Sequence, residues 1–411
     1  MASTKKPAAS PAPAIWAMFA VAFAFFVVMP GTTLPTPLYP IYREAFGLSE
    51  LTITVIFAIY AIGVMTVLVV AGGWSDLIGR RPMLFAGIAA AIVGTIILAS
   101  AQGLWGLLIG RVVVGFSAGV FTGTATVTIV ELAPERWRGH APLLATASNM
   151  LGLGSGPLLA GILAEYAPYP LRLSYIVELG LLGLALLCIW AIPETRPREP
   201  GVRLHMQKPM IVPEVRPVFI PAAIACFAGF SVLGVFGAAA PALLHEVFGF
   251  SNHVAFGGIM FLLFFCSTMG QVLQSKIAPN YRFPLGCIVL ALGAAMIGVA
   301  IQLESLTLLV AGAIVNGTGH GVVFRAGIQG LTEVTPPYCR AETMSAFFII
   351  AYIAICIPIV GFGASIAPLG LALSGEVFSG LAALLAIVAL VLLPREGGMS
   401  GEMGRSEEKR G

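Results

Sequence analysis

Residues 72–82 read GGWSDLIGRRP. Apolar runs at roughly 50–72 and 83–101 flank this stretch. Each is close to the length of about 20 residues that a helix needs to cross a bilayer. Gly72, Asp76, Gly79, Arg80, Arg81 and Pro82 make a tight polar turn between the two runs. The turn therefore reads as the loop of a helical membrane hairpin, and the chain on either side repeats that pattern.

Outward from it the sequence holds twelve apolar spans, roughly 14–36, 50–72, 83–101, 105–131, 141–164, 172–192, 217–244, 254–276, 284–303, 305–332, 343–367 and 375–394. Of the 411 residues 58% are hydrophobic and only 10% charged. Soluble domains carry about 25% charged residues, so this chain cannot cover itself with polar surface in water. The spans and composition predict an all-α membrane protein with twelve transmembrane helices. The ends, 1–13 and 395–411, are polar and rich in Pro or Gly and read as disordered tails. The polar linker 193–216 separates two six-helix bundles, 14–192 and 217–394. Lys5 and Lys6 precede the first apolar run as in a signal peptide, but no small-residue cleavage site follows, so the run is kept as a helix.

Charge placement sets the orientation. Eighteen of the 22 Lys and Arg fall in segments on one side of this topology, and only Arg43 and Arg172 fall in loops on the other. The positive-inside rule then puts both termini in the cytoplasm. The halves also match each other at a constant offset. Glu44, Phe46, Gly47 and Ser49 recur as Glu246, Phe248, Gly249 and Ser251; Arg80 and Pro82 as Arg282 and Pro284; Gly110, Gly115 and Gly119 as Gly312, Gly317 and Gly321; Pro134 and Arg138 as Pro336 and Arg340. One register across four regions implies duplication of a six-helix unit, with the two repeats parallel.

With these features in place, GGWSDLIGRRP resembles the loop signature of the major facilitator superfamily, G-x-x-x-D-(R/K)-x-G-(R/K)-(R/K), with Leu77 where that family usually has a base. The resemblance implies a gating loop that latches the two halves. Its members would be Gly72, Asp76, Gly79, Arg80, Arg81 and, as partner of Arg80, Glu131. Asp76 would sit against the positive N-terminus of span eleven, near Thr343.

Four further spans carry marked residues. In span four, Arg111, Gly115, Gly119 and Gly123 share one face, which suits close helix contact in lipid. Arg111 lies where a charge is costly and so usually functional, and the stretch resembles the family's proton-coupling motif. Span five reads GLGSGPLLAG over 152–161 and resembles the family's antiporter motif, with Gly152, Gly156, Pro157 and Gly161 forming a kinked, small-faced helix. In span ten, Asn316 and His320 form a polar stripe beside Arg325. With Asn149 of span five, these three are candidates to line a substrate cavity. Span one has no Asp or Glu, which leaves Glu178 in span six as the acid well inside an apolar run and a candidate, with Arg111, for coupling.

The reading is a secondary transporter working by alternating access, which exports small amphipathic compounds in exchange for protons. The alternative within the same fold is an uncoupled facilitator or a sugar or metabolite carrier. It would be a monomer in the inner or plasma membrane, with a small-molecule substrate, no cofactor or metal, and no nucleic-acid partner. An enzyme is disfavoured because the five histidines are dispersed and neither H-E-x-x-H nor a P-loop occurs. A sensor would show an added soluble domain, and every loop is short. The six cysteines form no C-x-x-C pair and read as packing residues.

Overall fold

The computed structural model describes residues 15–196, 206 and 209–393, so the tails and part of the linker lie outside it. The described residues are helical, with no strand among them. Among the described residues, twelve helices are long and apolar enough to cross a membrane: Ile15–Phe46, Glu50–Val70, Arg80–Ala99, Leu104–Leu132, Ala141–Tyr166, Pro170–Ala191, Pro213–Glu246, His253–Lys276, Pro279–Gln302, Leu306–Val334, Pro337–Leu369 and Leu371–Val391. They are called spans one to twelve in that order. Each falls where an apolar run predicts it.

Span one is longer than its apolar run suggests and is not one helix. It breaks after Val28, resumes as the short helix Pro30–Thr33, and reaches Tyr39–Phe46 through a 3-10 turn. Pro30, Pro35, Pro37 and Pro40 cause this, because each removes an N–H from the helical ladder. Span two is interrupted once, at Ile59.

Apolar side chains gain little by leaving lipid for a protein interior, so spans associate through close packing of small residues. The duplicated glycines mark where. Span four lies on span two: a Cβ on Gly115 would meet the Tyr60 carbonyl, and one on Gly119 would lie 2.8 Å from Val67 Cβ. Span ten lies on span eight in the same way, with Gly317 against Leu263 and Gly321 against Ser267. Span three packs on span four through Gly94, which meets Val114, and span nine packs on span ten through Gly293, which meets Asn316. The sequence repeat is therefore also a packing repeat.

Across the halves, span five packs along span eight, and span two packs on span eleven. Small residues again allow the approach: a Cβ on Gly257 would lie 2.8 Å from Leu158 Cα, and one on Gly363 of span eleven would lie 2.9 Å from Thr54 Cγ2 of span two.

Gly115→Val is expected to force spans two and four apart. Overpacking of this kind costs about 1–3 kcal/mol, read as a lower midpoint of thermal unfolding in detergent. Gly123→Val, on the same helix but with open space around it, is expected to leave the midpoint unchanged.

Candidate functional site

The polar turn is organised by Arg80. Its guanidinium donates to Ser75 Oγ at 2.6 Å, to Asp76 Oδ1 at 2.8 Å, and to the two oxygens of Glu131 at 2.9 and 3.3 Å. Sequence reasoning did not reach the segment that completes this network. Glu194, just after span six, accepts from the main-chain N–H groups of Arg80 (2.8 Å) and Arg81 (3.0 Å). These are among the N–H groups that a helix start leaves without partners, and a carboxylate suits its positive end. Thr195 donates to Glu131 at 2.6 Å, and Arg196 pairs with Asp76 at 3.3 Å. Arg81 reaches back to the last carbonyls of span six, those of Ile189 (3.2 Å) and Trp190.

Gly79 closes the turn at φ 104°, where a Cβ would also lie 2.7 Å from Glu194 Oε2. Conformation and space both demand glycine there. Gly72 opens the turn at the end of span two. Asp76 was expected at the start of span eleven, but its recorded ion pairs are with Arg80 and Arg196. The chain after span six folds back beside the turn and brings a cation to it.

Arg111 is fully buried. It donates to the carbonyls of Ile56 (3.1 Å) and Phe57 (2.8 Å) in span two and of Thr32 in the broken part of span one. Its guanidinium also lies over the rings of Phe57 (5.3 Å) and Tyr60 (4.6 Å). The arginine thus joins three spans by their backbones.

Span five presents two faces. Gly152 and Gly156 meet span one, where a Cβ would lie 2.6 Å from the Phe26 carbonyl and 2.7 Å from the Pro30 carbonyl respectively. Gly161 and the Pro157 carbonyl meet span eight at His253 and Gly257. Because Pro157 has no N–H, the carbonyl of Leu153 loses its helical partner, and Thr33 Oγ1 supplies a replacement at 2.7 Å. The second half repeats the device. Pro358 frees the Ala354 carbonyl, and Ser231 Oγ of span seven donates to it at 3.2 Å.

Between the halves lies a small cavity of about 40 Å³. Met29, Thr32, Tyr60, Thr122 and Asn149 line it from the first half, and Phe230, Phe324, Phe348 and Tyr352 from the second. None of its lining residues is Asp, Glu, Lys, Arg or His. The Asn149 Oδ1 has no hydrogen-bond partner, and Thr122 Oγ1 lies 3.4 Å from the Tyr352 hydroxyl across the cavity.

Of the four expected cavity residues, Asn149 is on the wall and Asn316, His320 and Arg325 are not. His320 lies one layer back, bonded through Nδ1 to Ser267 (2.9 Å) and set against Phe230 and Phe324, which do face the cavity. Asn316 donates to the Leu290 carbonyl of span nine at 3.3 Å. The glycine ridge that seats span ten on span eight turns this stripe into the packing.

Residues 21–359 match the family model of the Major Facilitator Superfamily. The chain belongs to that superfamily. Its membrane-length helices make it a multi-pass member of that transporter superfamily. Among curated relatives it is 28% identical over 178 residues to a protein of Enterobacter sp. (strain 638) that carries the provisional name multidrug resistance protein MdtD. A Klebsiella pneumoniae (strain 342) protein of the same name is 28% identical over 180 residues. These matches take in 43% and 44% of this chain and 38% of each relative, so the chain spans well under half the length of the curated relatives it matches. Among solved structures, a bacterial homolog of the human lysosomal transporter Spinster, inward-facing and unoccupied, superimposes with a TM-score of 0.72 at 17% identity, covering 92% of this chain and 97% of that one. A POT family transporter bound to a thioalcohol-conjugated peptide gives 0.73 at 15% identity, covering 91% and 95%. At these identities the superfamily's structures establish the shared fold alone.

Glu194→Ala removes the acceptor of two N–H groups at the start of span three. It is expected to destabilise the protein by about 1–3 kcal/mol, measured as a lower thermal midpoint in detergent. An unchanged midpoint would leave the anchoring to Arg81 alone.

Proposed function

We propose that this transporter is a proton-coupled exporter of uncharged amphipathic molecules, working as a monomer by alternating access with both termini in the cytoplasm. The cavity carries the reading. It lies between the two halves and offers aromatic and aliphatic surface with a few polar handles, Thr32, Thr122, Asn149 and Tyr352, and no charge. Its lining suits an apolar body with one or two hydrogen-bonding groups, and at about 40 Å³ the space between the halves has to widen before such a molecule enters. An ionic substrate would leave water there with no opposite charge to meet it. The relatives' name, multidrug resistance protein, agrees with a drug-like cargo.

Alternating access is supported by how the halves touch. At one end Arg43 pairs with Glu246 at 3.7 Å and also with Glu50, while His253 Nδ1 lies 3.0 Å from Glu165. Nearby, the Cys356 thiol donates to the Ala58 carbonyl at 3.2 Å. At the other end the Arg80 network stays among spans two, three and four and the segment after span six. Two half-molecules joined by small-residue seams can rock about the cavity between them. The rival reading is a facilitator without proton coupling, favoured by the lack of an acid in span one before Glu44.

Transport by inside-out vesicles separates the two. With an acid lumen, a neutral amphipathic dye is expected to accumulate several-fold above a control whose gradient has been collapsed. Equal filling in both would make the protein a facilitator. In the same assay Asn149→Ala is expected to raise the apparent KM about tenfold, which is about 1.4 kcal/mol of lost contact.

A further inference from the structure

We infer that Glu178 of span six is the proton-carrying group, and that it acts on the substrate cavity through the break in span one. The inference rests on the proton-coupled reading above.

Glu178 is the one acidic side chain among the buried described residues, at 1% exposure. No side chain bonds to either of its oxygens, and the one donor that faces them is the main-chain N–H of Gly31. Among the other carboxylates, Glu131 and Asp76 hold Arg80, and Glu165 holds His253. An ionised carboxylate without partners is far harder to keep out of water than the neutral acid. The present arrangement therefore suits a Glu178 that has its proton. It becomes untenable when the proton leaves, which is the property a coupling group needs.

What lies against Glu178 gives the route. A Cβ on Gly31 would sit 3.7 Å from its Oε1, and the main-chain N–H of Gly31 faces the carboxyl group. Gly31 belongs to the short helix Pro30–Thr33 that bridges the breaks in span one. The next residue, Thr32, lines the cavity, and its carbonyl is held by Arg111. The one after it, Thr33, holds the Leu153 carbonyl of span five. Three consecutive residues thus touch the buried acid, the cavity with Arg111, and the proline kink.

Other charged or titratable groups near this place are engaged or distant, except the Tyr39 hydroxyl, which is buried without a partner. Tyr42 and Tyr175 bond to each other at 3.0 Å, and the Tyr39 hydroxyl is buried nearby in span one. Arg80 and Arg81 of span three, and Glu165 and Tyr166 of span five, stand at the ends of their helices. Arg111 is committed to three carbonyls.

The step is a single proton transfer. A proton from the outer solution adds to the Glu178 carboxylate and forms its O–H bond. In the opposite state that bond breaks and the proton passes to the cytoplasm, with no other bond changed. Once ionised, the carboxylate draws the Gly31 N–H. That movement shifts Thr32, the next residue, and so the cavity wall. Proton and substrate then exclude each other without sharing a site.

The test compares wild type with Glu178→Gln in proteoliposomes, using a neutral amphipathic dye that the wild type transports. Wild type is expected to show gradient-driven accumulation, and an apparent dye affinity that weakens as pH falls. Glu178→Gln is expected to lose gradient-driven accumulation at least tenfold and to show a flat pH profile, while dye counterflow, which needs no net proton movement, stays within about twofold of wild type. Gradient-driven accumulation that survives in Glu178→Gln overturns the proposal. So does loss of counterflow in both Glu178→Gln and Glu178→Asp, because that assigns the residue a purely structural role. A wild type that transports the dye but ignores the gradient overturns the proton-coupled reading itself, and this inference with it.

Discussion

A main-chain carbonyl or N–H without a partner is hard to keep inside a bilayer, and this protein places many of them there on purpose. Four prolines lie in the broken part of span one, and spans five and eleven carry prolines inside their helices. At several of these irregular places a side chain from another span takes up a main-chain carbonyl. Arg111 holds Thr32, Ile56 and Phe57; Thr33 holds Leu153; Ser231 holds Ala354. These are bonds between helices made by groups that an intact helix would have kept to itself. The irregular backbone and the contacts between spans one, two, four and five are one structural fact.

Glycine ridges do the complementary work. Gly115 and Gly119 seat span four on span two, and Gly317 and Gly321 seat span ten on span eight. A lipid-embedded helix pair has no hydrophobic force to hold it, so backbone proximity and dispersion must serve. Residues beside such a ridge lose their freedom to face a cavity. This is why His320 and Asn316 end up bonded to Ser267 and to the Leu290 carbonyl.

The spans, the turn around Gly79 and Arg80, the pairing of Arg80 with Glu131, and the duplicated ridges were all legible in the sequence. Each depends on periodicity, on a short local motif, or on an offset between repeats. Glu194 and Arg196 were not legible as part of the turn, because they meet it from more than 110 residues away. The signal available was weak: a carboxylate and an arginine placed directly after the last residue of an apolar run. The stripe in span ten misled for a related reason. Helical periodicity gives the residues that share a face, but only packing decides which neighbour that face meets.

The cavity raises a question that its composition answers in part. A wall without charge can hold a neutral molecule but cannot itself exchange a proton for it. In a transporter that couples the two, the titrating group must lie elsewhere and must reach the wall through something that moves. Side-chain packing is a poor lever for this, since close-packed interiors yield little to small forces. A broken helix is a better one. The segment Pro30–Thr33 has few ladder bonds of its own, and it is held in place by groups on spans four and five. A change in charge on any group touching that segment alters bonds that fix its position. The irregular part of span one is therefore where an event at a buried acid can be felt by a substrate that never touches it.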